Sequence, residues 1–240
     1  MSANQKESSF LKSIWPRKNY DTMKQVKEKK KKRKRKKLKE GTRGYRLTQQ
    51  LRSTVQNSLK DKVDLREAVK LPQGEGEDEW IATNAMEIYN NIMLVFENFV
   101  SDRCTAEKCP VMRAGPNFIY LWQESKRKKP FKLPAPDYID RLLDWVGEQF
   151  SDETIFPLES DSAFGKQFRP TVHTILRKLF RVYAHIFCDH WERVKEVKAE
   201  TELLLCLKHY YFFVQEFSLV DKKDFEPLSK IIARIENDQL

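Results

Sequence analysis

A mostly α protein is predicted: a helical bundle with one small β-hairpin, preceded by a disordered N-terminal tail. Three observations carry this. From about Tyr45 onward, apolar residues recur at the three- and four-residue spacing that gives a helix one buried face. Between Val111 and Pro136, aromatic and β-branched residues gather around a single polar turn, which suits a hairpin. Residues 1–44 have little of either pattern and most of the positive charge.

The chain has 240 residues and a net charge of +10, a balance that invites a nucleic-acid reading until the charge is located. Residues 1–40 hold 16 Lys and Arg against four acids, a net +12; the other 200 hold 29 against 31, a net −2. From Lys24 to Lys39 nearly every residue is basic, and nothing there can bury enough apolar area to offset chain entropy. Residues 1–44 are therefore expected to be a disordered basic tail, and 45–240 a single helical domain. The partner of the folded part cannot be read from the whole-chain charge.

The helices follow in order. Asp64 caps a short one over Leu65 to Val69, stopped by Pro72. The acids Glu75, Glu77, Asp78 and Glu79 introduce a long helix from Glu79 to about Ser101, with Ile81, Ile88, Ile92, Phe96 and Phe99 on one face. The hairpin pairs the run Phe118 to Trp122 with Phe131 to Leu133 across the turn Gln123 to Lys129, Pro130 confining its strand to an edge. Asp137 caps the next helix, with Ile139, Leu142, Leu143, Val146 and Phe150 inward. Pro170 opens another, with Leu176, Leu179, Phe180, Tyr183, Ile186 and Phe187 as a wide stripe. One helix is expected from Trp191 to Phe217, and Pro227 opens the last, with Leu228, Ile231, Ile232 and Ile235 inward. There is no internal repeat, and the architecture is a bundle.

No apolar stretch reaches the ~20 residues of a membrane span, and the Met1 end lacks the apolar core of a signal peptide. A reducing compartment is expected, where the four cysteines serve as metal ligands or core residues rather than crosslinks. Cys104-x4-Cys109 and His185-x4-His190 offer two thiolates and two imidazoles, the donor set of a closed tetrahedral zinc site. Residues five apart on a regular helix point about 140° apart, so one histidine of the pair must lie at a helix end or a local distortion. Buried cysteines and hydrogen-bonded histidines explain the same residues without metal, and on spacing alone both readings stand. Cys188 and Cys206 are read as core cysteines, and His173 and His209 as polar or packing residues.

Several ordered stretches resemble the Mob/phocein family: Leu71-Pro-Gln-Gly-Glu75, Glu79-Trp80-Ile-Ala, Cys104-Thr-Ala-Glu-Lys-Cys109-Pro-Val-Met, Ala114-Gly-Pro, Ala135-Pro-Asp-Tyr-Ile, Asp152-Glu-Thr-Ile-Phe-Pro157, Leu179-Phe-Arg-Val-Tyr-Ala-His185 and Phe213-Val-Gln-Glu-Phe217. The resemblance runs from about Tyr45 to Glu236 and is strongest to the subgroup that activates NDR/LATS kinases. It implies a structural zinc on Cys104, Cys109, His185 and His190, and hence a zinc-stabilised bundle. It also implies a co-activator without chemistry of its own. In keeping with that, the chain has no phosphate-binding glycine loop, no H-E-x-x-H, no G-x-S-x-G and no kinase H-R-D.

The resemblance further implies two docking surfaces. Glu75, Glu79, Trp80 and Glu87 match an acidic surface for the basic N-terminal regulatory segment of NDR/LATS-type kinases; on the residues alone, the acids equally complement a helix dipole and Trp80 is equally core. Arg177, Lys178 and Arg181 match a phosphothreonine site for an upstream MST/Hippo-type kinase or a phosphorylated scaffold. By spacing they can also be a solvated helix face. Thr54, and Ser13 in a second place, match sites phosphorylated by the upstream kinase. The implied setting is Hippo-type signalling, the cell cycle and cytokinesis, in the cytoplasm and, through the basic run, the nucleus. Residues 24–39 suit a solvating or import tail, a segment lying on Glu75 and Glu79 in cis, or a contact to RNA or membrane phosphate. The rival function is nucleic-acid binding through the tail, the folded part lacking a basic groove with interleaved aromatics.

Overall fold

The computed structural model describes residues 64–125, 127–157 and 163–239. The predicted tail 1–44, with Ser13 and the run 24–39, and also Thr54, lie outside the described residues.

Asp64 starts α1 (Leu65–Ala68) as predicted, its carboxylate accepting the Arg66 backbone N–H at 2.9 Å. The following Val69 is buried, and its carbonyl accepts the indole N–H of Trp80 at 2.9 Å. That bond holds α1 against α2 (Glu77–Val95). The long helix begins two residues before the predicted Glu79, because Gly76 in extended conformation takes the N-cap position. Glu77 and Asp78 thereby enter the first turn, where the helix dipole favours acids. All five predicted stripe residues, Ile81, Ile88, Ile92, Phe96 and Phe99, are buried. Beyond Val95 the helix widens into a π-helical turn, Phe96–Val100. It is closed by Ser101 N–H, which donates to the Phe96 carbonyl at 2.8 Å.

The sheet differs from the predicted hairpin. Its two strands are β1 (Arg113–Ala114) and β2 (Phe118–Ile119), antiparallel, with Arg113 opposite Ile119 and Ala114 opposite Phe118. Gly115 makes the turn between them at φ 63°. That is the left-handed region, which glycine enters freely. The predicted pairing across Gln123 to Lys129 survives as one bridge, Trp122 to Phe131, with both backbone bonds at 2.9 Å. Pro130 and Pro134 flank Phe131 and donate nothing to a ladder, which limits its length.

Helix α3 spans Ala135–Phe150, with Pro134 before it and Pro136 in its first turn. Asp137 is therefore a first-turn acid and not the cap that the sequence suggested. Helix α4, Phe168–Asp189, starts before Pro170, which sits in the first turn where no backbone N–H is required. The predicted Trp191–Phe217 helix is broken into α5 (Trp191–Glu196) and α6 (Glu200–Glu216). At the break Lys198 takes φ 55°, Ala199 N–H reaches the Val194 carbonyl at 3.1 Å and Lys198 N–H the Lys195 carbonyl at 3.0 Å. This is a Schellman ending with lysine where glycine is usual, its flanking Val194 and Ala199 both buried. Pro227 does not open the last helix; it lies inside the 3-10 segment Lys222–Leu228, and α7 follows as Ser229–Glu236.

Helix α4 is the axis of the fold, packed against α2, α3, α5, β1 and the 3-10 segment. Ile175, Leu176, Leu179, Phe180, Val182, Tyr183 and Ile186 are all buried on it. Edge-on rings run from Tyr89 through Phe150 and Phe156 to Phe168, at centroid distances of 5.6, 4.8 and 5.2 Å, linking α2, α3 and α4. Each such pair adds about 0.5–1.5 kcal/mol beyond its area. Two buried hydroxyls have partners, Tyr89 donating to the Leu143 carbonyl and Tyr210 to the Leu176 carbonyl, whereas that of the buried Tyr183 has none among the described residues. No helix among the described residues is long and apolar enough to cross a membrane.

Candidate functional site

Two turns of chain bring the cysteines to the histidines. Past the π-helical turn, Arg103 and Cys104 donate backbone bonds to the Val100 carbonyl, and Cys109 donates to the Thr105 carbonyl. The loop is thereby folded so that both thiols face inward. Its far end is fixed because the Cys109 carbonyl accepts the Ala135 N–H at the start of α3, 2.9 Å away. On the other side, His185 projects from α4. His190 follows the last residue of that helix with φ −133° and ψ 15°, which is the helix-end position that the spacing requires.

The four residues are buried, and their ligand atoms all lie within 4.8 Å of one another. Cys104 Sγ stands 3.4 Å from His185 Nε2, Cys109 Sγ 3.4 Å from His190 Nε2, and the two Nε2 atoms 3.2 Å apart. A tetrahedral ion with bonds of about 2.0–2.1 Å to nitrogen and about 2.3 Å to sulfur separates its ligands by about 3.3–3.8 Å. These three separations are close to that size. The His185 tautomer also fits, because Nδ1 lies 2.8 Å from the Arg113 carbonyl. Nδ1–H donates there, and the Nε2 lone pair faces the thiols. These residues can hold a metal ion.

Two residues behind the cluster were not singled out from the sequence. Asp189 accepts Gly115 N–H at 3.0 Å and Arg113 Nε at 2.9 Å, and its other contact is His185 Nδ1 at 3.6 Å. Burial works against its charge, but His185, Gly115 and Arg113 overcome it and hold the carboxyl down at about 2. Asp189 thus ties β1 to α4 behind the Cys/His cluster. Its place four residues after His185 is a readable signal; that of Arg113 is not. Of the remaining cysteines, Cys206 is buried and its thiol is pushed up to about 12 by burial, whereas Cys188 is exposed and not the core residue predicted.

The acidic residues divide. Glu77 and Asp78 are taken by Arg169 of α4, at 2.8 and 2.5 Å. Among the described residues Glu75, Glu79 and Glu87 have no ion pair. Glu87 is exposed, Glu75 and Glu79 half-buried, and the Glu79 carboxylate folds back over Gly76, into the place a Cβ there would need. Trp80 is half-buried with its N–H committed to Val69, and Glu87 stands two helical turns on along the same face of α2.

The three basic residues share one stretch of α4 but differ in exposure. Arg177 is exposed; Arg181 donates to the Tyr138 hydroxyl at 2.7 Å and lies 5.1 Å from the Tyr120 ring. The Lys178 ammonium sits between two indoles, 5.0 Å from Trp122 and 4.6 Å from Trp145. Burial, then Arg181 and Arg177, push its pKa below the ordinary lysine value. The aromatic wall of Tyr120, Trp122, Tyr138 and Trp145 is a feature the charge pattern did not disclose. It orients Lys178 and Arg181, and neither they nor Arg177 have a carboxylate partner among the described residues.

Comparison with known proteins adds a family to this geometry. The Mob1/phocein family model matches residues 56–228. Human MOB kinase activator 3A is 41% identical over 187 residues, 78% of this chain and 86% of that protein. MOB kinase activator-like 1B of Arabidopsis thaliana is 41% identical over 196 residues, 81% of this chain and 88% of its own. Maintenance of ploidy protein mob1 of Schizosaccharomyces pombe is 41% identical over 193 residues, 80% and 89%.

Proposed function

The chain belongs to the Mob1/phocein family, and from that premise we propose that it is a non-catalytic kinase activator acting as an adaptor between two kinases. One is an NDR/LATS-type AGC kinase, whose basic N-terminal regulatory segment takes the acidic face of Glu75, Glu79, Trp80 and Glu87. The other is an upstream MST/Hippo-type kinase or a phosphorylated scaffold, whose phosphothreonine takes Arg177, Lys178 and Arg181. The bound ion is Zn²⁺ on Cys104, Cys109, His185 and His190. With all four ligands supplied by protein it is structural and pins the loop after α2 to the end of α4. The domain is 45–240, carried in the cytoplasm and nucleus behind the basic tail 1–44, with Thr54 and Ser13 as its phosphorylation sites.

The observation that carries the kinase reading is the set of carboxylates on Glu75, Glu79 and Glu87, unpaired among the described residues and close in sequence to a half-buried indole. Carboxylates without an internal cation are free to take Arg and Lys from a partner helix, and a fixed indole gives that helix an apolar anchor. The test is the affinity of the full chain for a synthetic basic NDR-type peptide, compared with Glu79→Lys. A loss of about tenfold or more supports the reading, in line with removing a charge-assisted contact and adding repulsion. Equal affinity refutes it. The rival nucleic-acid reading predicts instead that all partners are lost when residues 1–40 are removed.

A further inference from the structure

Four large apolar side chains stand exposed among the described residues, and three of them lie in the hairpin segment 119–131: Ile119 (51%), Leu121 (43%) and Phe131 (38%). Alternation along the extended run explains two of them. Trp122 is buried and Tyr120 half-buried, both turned toward Arg181 and Lys178 of α4, so Ile119 and Leu121 must point the other way, outward. The Trp122–Phe131 pairing then sets the register of the return chain. Lys132 falls opposite Leu121, on the same outward face.

The charge on this hairpin is one-sided. Its acid, Glu124, is occupied by Lys128 at 2.5 Å and Arg141 at 3.6 Å. Arg127, Lys129 and Lys132 are exposed and have no carboxylate partner among the described residues. Aliphatic side chains left in water beside uncompensated cations are matched by a surface that offers negative charge and hydrocarbon together. An acidic peptide would satisfy the cations but leave Ile119 and Leu121 wet.

We propose that the outward face of this hairpin, Ile119, Leu121 and Lys132, together with the exposed Arg127 and Lys129 of its turn, docks the protein on an anionic membrane surface. The two aliphatic side chains enter the headgroup boundary, and the three cations lie on the lipid phosphates and carboxylates. The docking face is opposite to the side of the run that meets Arg181 and Lys178, so both can be used at once. Each Lys or Arg near such a surface is worth about fivefold in partitioning.

The test is co-sedimentation of the full chain with vesicles of phosphatidylcholine alone and with about one third phosphatidylserine. The basic tail contributes to every measurement equally, so the ratio of variant to wild type reads the hairpin. Ile119→Ser with Leu121→Ser is expected to lower partitioning about tenfold. Lys132→Glu is expected to lower it more than fivefold, and Leu71→Ser, the fourth exposed apolar residue, to leave it unchanged. All four positions are exposed, and circular dichroism confirms that the variants fold. Partitioning of the double variant equal to wild type overturns the proposal. So does an equal loss in Leu71→Ser, or capture by immobilised polyglutamate without any vesicle binding.

Discussion

His185 and His190 bring their Nε2 atoms within 3.2 Å although they stand five positions apart on what reads as one helix. The contact exists because α4 stops at Asp189 and the His190 backbone leaves helical geometry, swinging an imidazole that would otherwise point away. The meeting of the four Cys and His donors depends on that one non-helical residue.

Zinc should be stoichiometric and stabilising. Chelation, or Cys109→Ser, leaves buried donors uncompensated and unlinks α2 from α4. A loss of about 4 kcal/mol at about 2–4 °C per kcal/mol for a chain of this size lowers Tm by about 10 °C. Elemental analysis with thermal unfolding in and out of chelator checks both parts; an unchanged Tm in chelator contradicts the structural role.

Asp189→Asn should weaken metal binding about 10–100-fold while leaving the bundle folded. The amide keeps the size of the carboxylate but loses the charge that holds Arg113, Gly115 and His185 in place. Competition with a chromophoric chelator measures the affinity.

Lys178→Met should separate binding from stability. The ammonium is half-buried between Trp122 and Trp145 with two arginines near and no carboxylate partner among the described residues. An apolar side chain of similar length is therefore tolerated, with a change within about 1 kcal/mol. Affinity for a phosphothreonine peptide should fall about fivefold or more. Denaturant unfolding and peptide titration on the same sample decide it.

His209 should contribute to acid sensitivity. Its Nε2 lies 3.3 Å from the Asn84 side-chain oxygen; burial holds its pKa below the ordinary 6.5, opposed by Glu87. Below pH 6.5 the unfolded chain takes up a proton that the folded chain refuses, so stability is full above 6.5 and falls as pH drops toward the folded value. His209→Gln should flatten that part of the pH–stability curve relative to wild type, while any loss due to metal release is common to both.

Lys198→Gly should stabilise the protein by up to about 1 kcal/mol. The α5–α6 break needs φ 55° at this position. Such a conformation costs a side-chain-bearing residue and not glycine. Chemical denaturation of the single variant measures it; a loss of stability would mean that the lysine side chain makes a compensating contact.

This break shows where sequence reading stops. Three helices end in left-handed residues that are not glycine, Lys198, Ser218 and Asp238. Glycine is the usual mark of such an ending, so the pattern from Trp191 to Phe217 reads as one unbroken helix. The break is held by burial of Val194 and Ala199, a tertiary fact. The hairpin failed for a similar reason: aromatic content located the strands, but backbone pairing chose Gly115 as the turn and left Trp122–Phe131 a single bridge. The separation of Glu77 and Asp78 from Glu75 and Glu79 depends on Arg169, which lies far along the chain and in no local pattern.

What the sequence determined by itself is whatever repeats locally: the apolar periodicity of the long helices, the caps and first-turn acids, the segregation of positive charge into the first forty residues, and the four metal-type donors. Tertiary structure alone decided which charges remain unpaired among the described residues, which cations are walled by aromatic rings, and that four donors from distant segments meet within 4.8 Å of one another. The division has a physical cause. Periodicity is set by backbone geometry between near neighbours, whereas pairing, burial and ligation depend on through-space distance, which becomes defined only once the core has packed.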